Sequence, residues 1–215
     1  PQSNILYYLR NTLILIVGNT VGTLISSSIV AYPLARMRFP GQNVVFSLIL
    51  ATMMVPSTAL VVPQYVPFSR FGWLNSFLPI IVPAWFAYPY NVFLFRQFYK
   101  TIPPGIDEAA LIDGCNRWDI FFRIIAPLSK SVFITIGVLS SVYWWNEMFV
   151  PLIYLDSDKL KPLTTGALTA FKNLFIQLWN IQMAMCMMMI IPPISLYLFA
   201  QKQLTEGIKT SGMKG

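Results

Sequence analysis

The sequence contains no histidine, and this absence removes several classes of function at once. Histidine is the side chain that most often exchanges protons near neutral pH, and it is a common zinc ligand. The chain of 215 residues carries 15 basic and 8 acidic residues but not one His. Catalysis by histidine and metal sites built on histidine are therefore excluded.

The sequence also lacks a Gly-Lys dipeptide, which the phosphate-binding loop of nucleotide-binding proteins requires, and it lacks two cysteines in surroundings that favour a disulfide bond. No Gly is followed by Lys, so the phosphate-binding motif G-x-x-x-x-G-K-[ST] does not occur. The two cysteines lie in different surroundings, Cys115 in a polar stretch and Cys186 in an apolar one, and we expect no bond between them. We expect the chain to hold no cofactor, no metal and no nucleotide of its own.

Charged residues are scarce. They make up 11% of the chain, whereas 56% is hydrophobic and the mean hydropathy is +0.61; soluble domains carry about 25% charged residues. Five apolar runs approach or reach the roughly 20 residues that cross a bilayer as a helix, and they are apolar on nearly every face. The sequence predicts an all-α, polytopic (multi-pass) transmembrane helical bundle with spans at about 12–35, 43–62, 77–96, 129–150 and 179–200.

The net charge of +7 is distributed in a way that favours a membrane topology rather than nucleic-acid binding. Alternate loops are rich in basic residues, as the positive-inside rule requires of cytoplasmic segments. If residues 106–127 face the cytoplasm, the inner segments hold ten of the 15 basic residues and the outer segments hold five. We therefore expect the N-terminus of this sequence to lie outside and the C-terminus to lie in the cytoplasm.

An outside N-terminus has a consequence for the first residues. The sequence begins with Pro1 and shows no signal peptide, so it has no evident means of starting outside the membrane. We expect an earlier transmembrane helix to be absent, which would give six spans in the intact chain.

Small residues and prolines mark the first three spans. Gly18, Gly22 and Ser26 recur every four residues, which predicts a face that another helix backbone can approach, as in ordinary bundle packing. Further prolines follow Pro56 and predict an irregular, partly re-entrant segment after the second span.

The fourth and fifth spans contain residues that could bind a substrate or a metal ion. Glu147 follows Trp144, Trp145 and Asn146, and these four residues are a possible substrate path. The alternative for Glu147 is an interfacial carboxylate paired with a neighbouring helix. A methionine cluster at 185–189 is better explained by packing than by a metal, because its side chains point in different directions on a helix.

The stretch IDEAALIDGCNRWDIFFRIIAP, residues 106–127, holds four of the eight acidic residues. Asp107 is the expected N-cap of a short helix over 108–113, and Gly114 is its expected stop. Asn116 would cap a second helix, with Asp119 three residues further on. The pattern predicts a helix–turn–helix elbow, a name we use for residues 106–127, lying along the cytoplasmic face of the membrane.

The elbow resembles the EAA loop of the membrane subunits of bacterial binding-protein-dependent ABC importers. The matching residues are Glu108, Ala109, Ala110, Gly114, Ile124 and Pro127, and Ala126 departs from the leucine that is usual before the proline. The resemblance implies that residues 101–127 form a cytoplasmic coupling loop whose short helix docks on an ATPase subunit. The docking residues it implies are Glu108, Ala109, Ala110, Asp113, Gly114 and Pro127.

The similarity extends to the maltose-type carbohydrate permeases, and within them to the maltose-G-type subunit. It is carried by Ile112-Asp113-Gly114, by WNEMFVPL at 145–152, by MVPSTALVVPQY at 54–65 and by the tail QKQLTEGIKTSGMKG. It implies one permease domain over 1–215 and a cytoplasmic tail over 201–215 that reaches the ATPase through Gly207, Lys214 and Gly215.

The resemblance also implies a non-catalytic subunit of a sugar importer in a bacterial inner membrane. Its partners would be a second, homologous permease, two ATPase subunits that bind the ATP, and an extracytoplasmic sugar-binding protein. Two alternatives remain open: a permease of the same superfamily for glycerol phosphate, a polyol or a polyamine, and an ion-coupled carrier or channel.

Overall fold

The computed structural model describes residues 5–170 and 179–212, and all regular elements within them are helical, as the sequence predicts. Twelve of these are α-helices: α1 (Ile5–Arg36), α2 (Gln42–Thr52), α3 (Ser57–Arg70), α4 (Leu78–Ile81), α5 (Pro89–Thr101), α6 (Gly105–Ile112), α7 (Arg117–Ile120), α8 (Ala126–Leu128), α9 (Lys130–Asn146), α10 (Phe149–Tyr154), α11 (Leu163–Ala170) and α12 (Trp179–Gly212). A 3₁₀ segment, Val82–Phe86, lies between α4 and α5, and a π-helical segment, Phe121–Ile125, lies between α7 and α8.

Two helical stretches of the described residues are long and apolar enough to cross a membrane by themselves, α1 and Leu78–Thr101. Two bent pairs pass the same test: α2 with α3, at 93°, and Arg117–Leu128 with α9, at 74°. Cys186–Gln201 is a shorter apolar helix. Each predicted span thus overlaps an apolar helical segment, and two to four of these segments can cross a membrane by length and composition. The second predicted span is bent between α2 and α3, the fourth begins at the bend between α8 and α9, and the fifth overlaps only the shorter apolar helix.

The segment after the second span differs from its prediction. We expected it to be irregular and partly re-entrant or interfacial, yet residues 57–70 form a regular helix, α3, with Pro63 and Pro67 inside it. The 93° bend between α2 and α3 is that of a broken span or a re-entrant loop. The break lies earlier, between the end of α2 at Thr52 and the start of α3 at Ser57. A proline disfavours helix in the residue before it, here Val55, and Pro56 itself has extended backbone (φ −61°, ψ 125°). Within α3 the two prolines cost individual hydrogen bonds without ending the helix.

The described chain divides into two compact units. The first takes in the described parts of Pro1–Gly22, Pro56–Trp85 and Val138–Phe199, and the second those of Thr23–Val55, Phe86–Gly137 and Ala200–Gly215. The core of the first unit contains Leu15, Val61, Ile80, Tyr154 and Leu155. The core of the second unit is larger and is built around Phe95, Tyr99, Ile120, Phe121 and Ile125.

Glycines of α1 make room for side chains in the first unit. A Cβ at Gly22 would lie 2.6 Å from Nε1 of Trp85, and one at Gly18 would lie 2.9 Å from Cδ1 of Ile81. At these two glycines the nearest neighbours are bulky side chains, whereas the sequence suggested a second helix backbone.

Hydroxyl groups of α1 satisfy a backbone break in the second unit. Before Pro89 the chain leaves the helical conformation, with a φ of +64° at Ala87. Ser26 Oγ accepts a hydrogen bond from the Ala87 N–H and Ser27 Oγ accepts one from the Tyr88 N–H, each at 3.0 Å. In a membrane protein, non-helical backbone persists where such partners exist.

We expect Gly22→Ala to lower the thermal unfolding temperature of the protein purified in detergent. The added methyl group must displace the Trp85 indole, and overpacking of this kind costs about 1–3 kcal/mol. Gly137→Ala is the matched control, because its Cβ would meet only Leu24 Cδ1 at an ordinary 3.7 Å. An unfolding temperature for Gly22→Ala equal to that of the control would contradict the prediction.

Candidate functional site

The first helix of the elbow begins earlier than the sequence suggested. α5 ends at Thr101, and α6 starts at Gly105 with Pro104 as its N-cap residue (φ −64°). The prediction that Asp107 caps this helix is wrong, because the fixed φ of proline already suits a helix start. Asp107 instead lies inside the first turn and is 7% exposed.

The end of α6 follows the prediction for Gly114. This residue has a φ of +81°, a left-handed conformation that glycine adopts without steric cost. The Gly114 N–H bonds the carbonyl of Leu111 at 3.1 Å, and the Cys115 N–H bonds that of Ala110 at 3.0 Å. These two bonds form a Schellman motif, which satisfies helix-terminal carbonyls and turns the chain sharply.

The second helix of the elbow starts at Asn116, as predicted. Its Oδ1 accepts hydrogen bonds from the N–H groups of Trp118 and Asp119, both at 2.9 Å. The Asp119 carboxylate lies 3.3 Å from Nε of Arg123, in an ion pair one turn apart. The turn between α6 and α7 is thus set by one glycine and one asparagine.

The elbow ends at a π-helical stretch and a bend. Pro127 cannot donate to the carbonyl four residues earlier, which disturbs the regular helix ladder at this point. Ser129 is fully buried, and both its hydroxyl (2.6 Å) and its N–H (3.0 Å) donate to the Ile125 carbonyl. Ala126, the departure from the family pattern, is half-buried against the core of the second unit.

The elbow presents one face outward and buries the other. Glu108, Ala109, Asp113 and Gly114 are exposed, and Ile112 is 87% exposed. By contrast, a second set of side chains packs inward, comprising Ala110, Ile120, Phe121 and Ile125. The two neighbouring alanines of the EAA sequence therefore differ in surroundings: one is available to a partner and the other belongs to the core.

A residue from outside the elbow holds its buried side. Arg36, at the end of α1, places Nε 2.9 Å from Oδ2 of Asp107, and the two side chains are 5% and 9% exposed. Its other two guanidinium nitrogens donate to the carbonyl of Tyr99, in the last turn of α5, and to those of Ile102 and Pro103, which follow α5. Nothing local in the sequence pairs positions 71 residues apart.

Arg96 supports the same end of α1. Its Nε donates to the Leu34 carbonyl at 3.0 Å, and the amide of Gln42 donates to that carbonyl at 2.8 Å. The guanidinium also lies 3.7 Å from the centre of the Phe46 ring, a cation–π contact. Carbonyls at a helix C-terminus have no partner within the helix, so both side chains serve as caps.

The four residues of the possible substrate path have different surroundings. Trp145 is 5% exposed and its Nε1 donates to the Met189 carbonyl at 3.0 Å. Pro193, four residues after Met189, cannot make that bond, so the indole replaces it. Trp144 packs beside the core of the first unit, whereas Asn146 is exposed and bonds the Val142 carbonyl.

Glu147 is half-buried, and its Oε1 accepts a hydrogen bond from the Val150 N–H at 3.0 Å, in the first turn of α10. This contact gives the carboxylate a helix-capping role. The described residues contain no group of three or more His, Cys, Asp or Glu side chains that could hold a metal ion.

The predicted tail contacts lie at the edge of what the structure describes. Gly207 falls within α12. Lys214 and Gly215 lie outside the described residues.

Comparison with known proteins identifies the chain's relatives. The model of the family described as binding-protein-dependent transport system inner membrane component matches residues 18–210. The arabinooligosaccharides transport system permease protein AraQ of Bacillus subtilis is 34% identical over 205 residues, which cover 95% of this chain and 72% of AraQ. The sn-glycerol-3-phosphate transport system permease protein UgpE of Pectobacterium atrosepticum is 30% identical over 205 residues, 94% of this chain and 72% of UgpE.

A solved structure shares the fold. It is the crystal structure of a bacterial ABC transporter involved in the import of the acidic polysaccharide alginate, and one of its chains superposes with a TM-score of 0.82 at 24% identity. The match covers 94% of this chain and 76% of that one. The arrangement of helices described above is therefore that of a known transporter chain.

We expect Gly114→Val to loosen the elbow. A left-handed backbone costs an L residue about 1–2 kcal/mol, so the two bonds of the Schellman motif should open more often and amide hydrogen exchange over residues 105–116 should accelerate about tenfold. Gly114→Asn should have a smaller effect, since asparagine tolerates this conformation. Gly105→Ala, which meets no atom within 4 Å and has no positive φ, is the control and should exchange as the unaltered protein does. Equal exchange in all three variants would refute this account of the turn.

Proposed function

The chain belongs to the family of binding-protein-dependent transport system inner membrane components, and on that basis we propose that it is the permease subunit of an ATP-driven importer of a sugar or oligosaccharide. The observation that carries the proposal beyond the family is the elbow. Its first helix, α6, is short and is held by the Schellman motif at Gly114 and by a buried ion pair. Glu108, Asp113 and Ile112 are exposed on it and at its end.

The outward face of the elbow is suited to a protein partner. Ile112 is 87% exposed, and the acidic residues Glu108 and Asp113, four positions before it and next to it in the sequence, are exposed as well. An exposed apolar side chain flanked by acids fits a groove with an apolar floor and basic rims, where charge-assisted hydrogen bonds can form. We assign Glu108, Ala109, Asp113 and Gly114 to this contact.

Two residues of the predicted docking set act from the other side. Ala110 packs into the core of the second unit and leaves α6 close to it. Pro127 lies at the bend that joins the elbow to α9. In this proposal both hold the docking face in place.

ATP would act on this chain only through the partner. Two ATPase subunits bind and hydrolyse it, and their closure moves the docked elbows of this permease and of a second, homologous one. A rigid-body displacement of helices then switches the pathway between its two faces. The chain itself makes and breaks no covalent bond.

The same proposal places the elbow and the C-terminus in the cytoplasm and the first described residues outside. Basic residues in the segments on the elbow's side, ten of 15, support this orientation. Gly207, Lys214 and Gly215 would add a second contact with the ATPase. An extracytoplasmic binding protein would deliver the solute on the opposite face.

Sugars are the solute class that we favour, with glycerol phosphate as the second candidate. AraQ is named for arabinooligosaccharides and UgpE for sn-glycerol-3-phosphate, and both match nearly the whole chain. The possible substrate path, Trp144, Trp145, Asn146 and Glu147, includes aromatic and hydrogen-bonding groups of the kind that bind sugars. It contains no basic residue that would select a phosphate.

The substrate class can be tested by uptake. Vesicles containing the complete transporter should accumulate one of a panel of radiolabelled oligosaccharides (arabinotriose, maltotriose, xylotriose) when ATP and the binding protein are supplied, and should not accumulate sn-glycerol-3-phosphate. Accumulation of glycerol phosphate alone would replace the sugar proposal with the second candidate.

We expect Glu108→Lys to abolish ATP-dependent uptake and co-purification of the ATPase subunit, because it reverses a charge on the exposed docking face. Gly114→Asp should do the same, because it adds a charged side chain to the exposed docking face. Asp156→Lys, an exposed acid outside the elbow, serves as the matched control and should retain both properties. Membrane insertion, measured by fractionation, should be unchanged in all variants. Normal ATPase co-purification with Glu108→Lys would remove the docking role.

A further inference from the structure

One guanidinium group joins three segments of the second unit. Arg36 is itself the last residue of α1, its Nε pairs with Asp107 of α6, and its other nitrogens bond the carbonyls of Tyr99, Ile102 and Pro103 at the end of α5. Among the described residues no other cation lies within ion-pair distance of Asp107. We call these bonds the Arg36 junction.

The junction is buried, and its burial argues against a role in stability alone. Removing a carboxylate and a guanidinium from water carries a large desolvation penalty, so well-packed apolar residues would often stabilise the fold as well or better. In some proteins a buried polar or charged group holds one arrangement of segments against alternatives. Here the arrangement is the position of α6 against the C-terminal ends of α1 and α5.

The other contacts that α6 and the turn after it make with the core of the second unit are apolar. Ile106, Ala110 and Cys115 meet it through apolar surfaces. Apolar contacts are non-directional, so they resist separation of α6 from the core better than they resist sliding. The guanidinium fixes direction as well, because its planar set of donors matches its acceptors in one geometry.

Covalent connection does not replace the junction. α6 follows α5 after only three residues, 102–104, so a displacement of the elbow reaches α5 through the chain itself. The end of α1 lies 71 residues before Asp107 in the sequence and has no such link. The Arg36 junction is a direct polar connection between them.

We propose that Arg36 is a positioning residue for energy coupling: it seats the docking helix α6 and passes its displacement to the end of α1. This inference rests on the proposed function, since it requires that a partner moves α6. It assigns to Arg36 and Asp107 a role distinct from that of the exposed residues that meet the partner.

The seating of α6 can be measured with a native thiol. Cys115 is half-buried three residues beyond α6, where its N–H forms one bond of the Schellman motif, and Cys186→Ser leaves it as the only cysteine of this sequence. In the assembled transporter, with an ATPase subunit whose reactive cysteines have been removed, Asp107→Asn should raise the maleimide alkylation rate of Cys115 by at least about tenfold, because it leaves the Arg36 charge buried and unpaired. Asp119→Asn makes the same change in the Asp119–Arg123 pair, whose side chains are 29% and 77% exposed, and should leave the rate nearly unaltered.

Transmission to α1 requires a second probe. Ala35→Cys places a thiol beside Arg36 at a half-buried position, in a background with Cys115→Ser and Cys186→Ser. In the complex with its ATPase, the alkylation rate at this position should differ between the nucleotide-free state and the state with a non-hydrolysable ATP analogue. Asp107→Asn should abolish that difference while the ATPase still co-purifies, whereas Asp119→Asn should preserve it.

The outcomes separate this inference from the proposed function. A nucleotide-dependent rate that survives Asp107→Asn, or an unchanged rate at Cys115, overturns the role of the junction and leaves the permease assignment standing. No co-purification of any ATPase and no nucleotide effect with the native Asp107 would overturn the proposed function instead. If Asp107→Asn does not assemble, Arg36→Lys is used in the same assay. Lysine keeps the positive charge but has too few donors for all four acceptors of Arg36. An unaltered nucleotide effect in Arg36→Lys would again overturn the inference.

Discussion

Unpaired backbone groups are the constraint on which the rest of this structure depends. Without water in the hydrocarbon of a bilayer, a carbonyl or N–H group that lacks a partner costs several kcal/mol. The helices of this chain bend, break and end repeatedly, and each interruption releases such groups. Side chains from distant parts of the chain supply the missing partners, as with the hydroxyls of Ser26 and Ser27 at the break before Pro89 and the indole of Trp145 at Met189.

The same constraint explains why arginine occupies the ends of two helices in the second unit. Arg36 and Arg96 carry more donors than any other side chain, and between them they satisfy carbonyls of α1 and of the residues that end α5. By their charge alone they look like anchors at a cytoplasmic surface. Their burial shows that they are interior caps, and one of them also holds the carboxylate of the helix that we propose as the docking element.

Membership in the transport family and the elbow fit into one physical account. A membrane component that is moved by a partner protein needs a part that is rigid, exposed to that partner and firmly joined to the membrane-spanning helices. α6 meets the first requirement through the Schellman motif at Gly114 and the second through its outward acids and Ile112. The junction at Arg36 meets the third. An ion-coupled carrier would have no need of such an element, and the family match argues against that alternative.

The sequence by itself determined the features that arise from composition and from neighbouring residues. Apolar length located the apolar helical segments, of which two to four can cross a membrane. Gly114 and Asn116 placed the turn of the elbow, because short-range sterics and hydrogen bonding decide such a turn. The string from Glu108 to Pro127 identified the family. The prolines from Pro56 onward predicted an interruption of the second span, but they did not predict that the residues after Pro56 form a helix. Tertiary contacts decide whether a proline-containing segment stays helical. The start of α6 and the pairing of Asp107 with Arg36 belong to the tertiary structure alone. Nothing within a few residues of either side chain marks the other, and only the folded chain brings positions 71 residues apart within 2.9 Å of each other.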